Sequence, residues 1–128
     1  MTILVLGSNG LAGSAICRNL KLNNRKFIAA TRNDVNLLDT KAVDEYFSKV
    51  KPKVIIGAAA LVGGMAANIK HPVEFLTNNL TIQNNTILSA ANNNVDKYIY
   101  LINYIENNKV LLLDSLDFNN FRVLTNNN

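Results

Sequence analysis

Seven residues near the amino terminus, Gly7, Ser8, Asn9, Gly10, Leu11, Ala12 and Gly13, carry the strongest chemical signal in the sequence. They stand between an apolar run and a segment of helical period. Glycine in the first place permits a tight turn, in the fourth lets backbone approach a pyrophosphate, and in the seventh lets a helix pack closely on a strand. The free N–H groups of the helix start then face the anion. The plainer alternative is a strand–turn–helix that uses glycine for steric reasons alone; the placement of the turn favours a dinucleotide. A second signal lies at the end of the next apolar run, Ala29-Ala30-Thr31-Arg32. A site for NAD usually carries an acidic residue there to hold the ribose hydroxyls. A guanidinium at Arg32 would instead pair with the 2′-phosphate of NADP, a charge-assisted contact of about 1.5–3 kcal/mol. A solvated surface arginine is the competing reading, and Asp34, two residues on, leaves room for NAD.

Other reactive side chains form no catalytic set. His71 precedes Pro72 at a helix start, and Cys17 falls inside the first helical segment, where it reads as a small core residue. Asp114 and Ser115 have no histidine partner for a nucleophile triad. With one cysteine, neither an internal disulfide nor a CxxC metal site can be drawn. No catalytic and no metal-ligating residue is therefore assigned.

Short apolar runs alternating with helical segments must position these residues, and that alternation calls for a parallel sheet with crossover helices. Residues 3–6 form the first strand. In the helix that follows, Leu11, Ala15, Ile16 and Leu20 would make one apolar stripe. Residues 26–30 form the second strand. Asp39 or Thr40 caps a helix in which Val43, Tyr46, Phe47 and Val50 recur at i, i+3, i+4 and i+7, and Pro52 stops it. Residues 54–60 form the third strand, and a glycine- and alanine-rich loop follows over 61–71. Pro72 then opens a long helix, with Leu76, Leu80, Ile87, Leu88 and Ala91 as its buried stripe, ended by Asn92 to Asn94. Residues 98–101 form a fourth strand. Further on, 110–113 reads as a strand and 118–124 has no clear pattern. The fold class is α/β, a Rossmann-like doubly wound parallel sheet.

The 128 residues, 48% of them hydrophobic, suffice for one compact domain with a buried core. The net charge of +4 comes from scattered lysines and arginines, which argues against a nucleic-acid partner. No run approaches the roughly 20 apolar residues of a membrane span, and residues 3–6 read as a strand, without a basic leader or cleavage site. A cytoplasmic location without a membrane partner is the expectation. Asparagine is abundant but dispersed through periodic segments, a compositional bias rather than a low-complexity tract.

The glycine spacing, together with Thr31-Arg32, Asn36-Leu37-Leu38-Asp39, Ala58-Ala59-Ala60-Leu61-Val62-Gly63-Gly64, Ala67-Asn68 and Pro72-Val73-Glu74-Phe75, resembles the GDP-L-fucose synthase family of extended short-chain dehydrogenase/reductases. The likeness runs from about Ile3 to Leu101, and the Val-Gly-Gly loop is its most specific part. It implies NADP (NADPH) as cofactor, with Gly7 to Gly13 on the pyrophosphate. Arg32, Asn36 and Leu37 would lie on the adenosine phosphate side, and Ala58, Ala59 and Ala60 beside the nicotinamide. It implies residues 1–101 as an incomplete NADP-binding domain and 102–128 as a divergent tail. The helix over 72–92 would serve in a homodimer.

The family places a Gly-Ser-Ser-Cys-like segment after the fourth strand, where this sequence has Ile102-Asn103-Tyr104. The family also needs tyrosine and lysine four positions apart, so that the ammonium lowers the phenol's pKa. The residues four after Tyr46, Tyr98, Tyr100 and Tyr104 are Val50, Ile102, Tyr104 and Asn108, and Lys109 stands one place too far from Tyr104. The resemblance thus implies a truncated chain without the substrate domain. A dinucleotide would be its partner, a GDP-sugar would bind only in an intact relative, and no reaction would run unaided. The alternative is a non-catalytic regulatory module that pairs with an intact relative.

Overall fold

A computed structural model describes residues 2–59 and 70–100 in full, and the backbone alone of 105–106, 109–110 and 114–117. In chain order the elements are β1 (Ile3–Leu6), α1 (Leu11–Leu22), β2 (Phe27–Ala30), α2 (Thr40–Val50), β3 (Val54–Gly57), α3 (Pro72–Asn92) and β4 (Lys97–Tyr100). Short strands β5 (Ile105–Glu106), β6 (Lys109–Val110) and β7 (Asp114–Asp117) follow.

The main sheet has the order β2-β1-β3-β4-β7, with β1 to β4 parallel. The chain steps from β1 to β2 in one direction and then back across β1 to β3. Right-handed crossovers consequently place α1 on one face and α2 with α3 on the other, and α2 and α3 touch through a hydrogen bond from Ser89 Oγ to Asp44 Oδ1 of 2.9 Å. The doubly wound parallel sheet expected from the alternation is present. At its far edge β7 runs antiparallel to β4, while β5 and β6 form a separate antiparallel pair. The strand expected over 110–113 is met only at Val110, in β6; residues 111–113 and 118–124 lie outside the described residues.

The core lies between the sheet and the α2–α3 layer. Leu4, Leu6, Ala30, Val35, Val43, Phe47, Ile55, Ala90, Val95 and Tyr98 form one buried cluster. Helix α2 follows its apolar period, with Val43 and Phe47 fully buried. Asp39 caps it by accepting a 3.1 Å bond from the Ala42 amide. At its other end Lys51 adopts a left-handed conformation, φ 52°, just ahead of the buried Pro52.

Two expected apolar stripes are corrected. On α1 the buried residue is Gly13; Leu11 is 93% exposed, Ala15 is exposed, and Ile16 and Leu20 are half-buried. On α3 the inward residues are Ile82, Asn85, Thr86, Ser89 and Ala90, while Leu76, Leu80, Leu88 and Ala91 face outward and Ile87 is half-buried. Polar side chains can lead because each finds a partner across the layer. Asn85 Nδ2 donates to the Leu37 carbonyl at 3.0 Å and its Oδ1 accepts from Thr40 Oγ1 at 3.1 Å. Such bonds offset the desolvation that unpaired groups would incur.

Candidate functional site

The strand order reverses at β1 and β3, and the crevice beyond the carboxyl ends of such strands is where open α/β sheets take their ligands. Gly7 leaves β1 at this point with φ +69°, a region that strongly favours glycine. A Cβ there would lie 2.7 Å from the Ala58 carbonyl oxygen and 2.7 Å from the Ala59 nitrogen, so the turn is pressed against the chain leaving β3. Gly13 is equally constrained, since a Cβ there would collide with the Gly7 carbonyl. These two glycines are needed to bring α1 onto the turn.

Gly10 differs from both. Its backbone is extended, φ −75° and ψ 175°, which any residue can adopt, and a Cβ would meet nothing nearer than the Gly7 oxygen at 3.4 Å. Gly10 is also the N-cap of α1 and makes no side-chain cap bond, with no acidic residue in the first turn. The first amides of a helix have no intrahelical acceptor and carry partial positive charge. An exposed Gly10 thus opens onto an uncapped helix start. Of the other turn residues, Ser8 is buried, Asn9 and Leu11 are exposed, and Ala12 is half-buried.

The second turn is tied to the first. The Ser8 amide donates to the Ala30 carbonyl at 3.1 Å, joining the glycine turn to the end of β2. From there Thr31, Arg32, Asn33 and Asp34 close a turn in which the Asp34 amide donates to the Thr31 carbonyl at 3.1 Å. Asp34 Oδ2 accepts from the Thr31 amide at 2.7 Å and from Thr31 Oγ1 at 3.0 Å. Burial and the nearby Asp34 carboxylate raise the Tyr46 phenol above its ordinary pKa. Arg32 and Asn36 are exposed, whereas the Leu37 side chain packs against the core cluster. A sequence signal for this closed turn existed in the Thr-x-x-Asp spacing, the pattern by which a side chain reaches back to a nearby amide.

Ala58 and Ala59 are half-buried at the end of β3; Ala60, residues 61–69, over which a loop is expected, and 101–104 lie outside the described residues. Sequence reasoning missed Gly57, where a Cβ would stand 2.5 Å from Tyr98 Oη, because nothing local reports that β4 lays a tyrosine across it. His71 is exposed at the start of α3, 3.9 Å from Glu74 Oε2. Cys17 is half-buried, and burial raises its thiol pKa.

A doubly wound sheet with a glycine turn at its switch point defines the class of nucleotide-binding α/β proteins. The chain belongs to the NAD dependent epimerase/dehydratase family, whose model matches residues 3–102. It is 37% identical over 101 residues to GDP-L-colitose synthase of Yersinia pseudotuberculosis, an alignment covering 79% of this chain and 33% of that protein. It is 36% identical over 100 residues to GDP-L-fucose synthase of Escherichia coli strain K12, covering 77% and 31%. The GDP-mannoheptose C4 reductase MlghC of Campylobacter jejuni, solved with NADP bound, superposes with a TM-score of 0.72 at 31% identity, covering 83% of this chain and 36% of that one. The chain therefore spans about a third of the length of the relatives it matches.

Proposed function

We propose that residues 1–101 bind NADP(H), as the cofactor-holding part of a GDP-L-fucose synthase-like fold, and that the 128 residues alone run no reaction on a GDP-sugar. The observation that carries the reading is Gly10. Its neighbours Gly7 and Gly13 are glycines because the fold leaves no room for a Cβ, but the fold makes no such demand at Gly10. Close approach of something outside the chain to an uncapped helix start explains it, and a pyrophosphate fits that start in charge and hydrogen bonding. The NADP bound to MlghC supports the choice of dinucleotide.

In this reading the turn from Gly7 to Gly13 holds the pyrophosphate, with the amides at the start of α1 as donors, and Arg32 pairs with the 2′-phosphate. Asn36 and the backbone at Leu37 border the adenosine side, and Ala58, Ala59 and Ala60 border the nicotinamide. The bound cofactor would supply hydride. No tyrosine in these residues is followed by lysine at the fourth place, so they offer no phenol activated by that ammonium to move the accompanying proton. Calorimetric titration with NADPH tests the binding: the chain should bind it, and Gly10→Val should lose at least tenfold in affinity while circular dichroism shows the chain still folded. Equal affinity of Gly10→Val and the parent would sink the reading, and GDP-L-fucose formation by the purified chain would refute its catalytic half.

A second reading, pairing through α3 with another copy or with an intact relative, is favoured by one observation. Val73, Leu76, Leu80 and Leu88 are exposed along that helix while Asn85, Thr86 and Ser89 face the core. A soluble partner presenting a similar apolar helix would cover them.

A further inference from the structure

We infer that Asp34 is the positioning residue for cofactor selectivity: it holds Arg32 toward the 2′-phosphate of a dinucleotide and does not itself hold the ribose. The inference rests on the NADP(H) reading above. An acidic residue close behind the second strand invites the opposite assignment, a carboxylate on the ribose hydroxyls. The geometry gives Asp34 a different task, because its Oδ2 is turned back onto the chain, where it takes both the amide and the hydroxyl of Thr31 at 2.7 and 3.0 Å. Bonds of an ionised acceptor to such donors are roughly twice as strong as neutral ones.

What the clamp fixes is the pair of residues it encloses. Thr31 and Asp34 are the ends of a four-residue turn, further closed by Asn33 N to Thr31 Oγ1 at 3.2 Å and Val35 N to Thr31 O at 3.3 Å. Arg32 and Asn33 are the exposed middle. The turn starts one residue after Ala30, whose carbonyl takes the Ser8 amide. Arg32 is therefore held two residues from a point shared with the glycine turn, a chain reach of at most about 7 Å. Without the clamp the backbone that carries the guanidinium would be a loose loop, and ordering it on binding would add a backbone entropy cost to that of the side chain itself.

Asp34 is exposed, so its replacement should leave the chain folded, as far-ultraviolet circular dichroism can verify. NADPH and NADH are titrated into the parent, Asp34→Ala, Asp34→Asn and Arg32→Ala. The parent should prefer NADPH, and Asp34→Ala should lose about tenfold of its NADPH affinity, with NADH held to within twofold. Faster amide exchange at Thr31 should accompany that loss. Asp34→Asn keeps an acceptor for the Thr31 amide and should retain most of the preference, whereas Arg32→Ala should lose it. Equal or greater loss of NADH affinity in Asp34→Ala would assign the carboxylate to the ribose and overturn the inference. Unchanged or tighter NADPH binding there would overturn it too, leaving the cofactor reading intact. A parent that binds neither dinucleotide would end both.

Discussion

The Tyr98 hydroxyl lies 2.8 Å from Thr86 Oγ1 in the middle of the core, and Thr86 Oγ1 in turn donates to the Ile82 carbonyl one helical turn back, at 2.7 Å. This short chain of bonds joins β4 to α3 directly above Gly57, the residue whose missing side chain admits the phenol.

Gly57→Ala should destabilise the protein by about 1–3 kcal/mol, the usual range for overpacking a tight core. Because the first obstacle is Tyr98 Oη, Tyr98→Phe should recover part of that loss. The two substitutions should then be measurably non-additive in urea denaturation. Strict additivity would mean that Gly57 is required for some reason other than the phenol.

Burial pushes the Tyr98 phenol well above its ordinary value of 10.0, against a smaller opposing effect of the Thr86 bond. The folded state thus holds this proton more tightly than the unfolded chain does. Its contribution is complete below pH 10 and declines as pH rises beyond that, with a limiting slope of about 1.4 kcal/mol per pH unit. Half-burial shifts Tyr100 the same way. Denaturant midpoints between pH 9 and 11 should fall for the parent and fall less for Tyr98→Phe.

Asn85→Ala removes both the donor to the Leu37 carbonyl and the acceptor from Thr40. Loss of about 1–3 kcal/mol is expected, two hydrogen bonds at about 0.5–1.5 kcal/mol each. Ser89→Ala, which breaks the bond to Asp44, should cost less, because Asn93 Nδ2 still reaches the same carboxylate at 2.8 Å. Chemical denaturation ranks the two.

If α3 pairs with another copy, Leu76→Glu and Leu80→Glu should raise the dissociation constant at least tenfold in sedimentation equilibrium, with monomer stability unchanged. Both side chains are exposed, so neither variant is expected to unfold the chain. A parent that stays monomeric at high concentration would remove the self-pairing form of that reading.

Much of this was legible where one local rule decides the outcome. The period Val43, Phe47 on a capped helix fixes which face of α2 is buried, and the glycine turn fixes the passage from β1 to α1. Helix α3 resisted for a physical reason. Its leucines make a plausible stripe, but the face that docks is chosen by Asn85, Thr86 and Ser89, whose partners at Leu37, Thr40, Tyr98 and Asp44 are mostly more than forty residues away. At the site, the spacing assigns the first and seventh glycines to the fold and the fourth to a ligand; the geometry leaves no room for a Cβ at Gly7 and Gly13 and leaves room for one at Gly10.

The bond from the Ser8 amide to the Ala30 carbonyl continues the pairing that sets Leu6 opposite Ala30. Strand register therefore acts as a ruler between the two turns. An insertion within the exposed residues 23–26 would be absorbed before the ruler begins. A deletion inside β2 would slide it by one residue, send alternate side chains to opposite faces, and bring Arg32 into the place that Thr31 holds now.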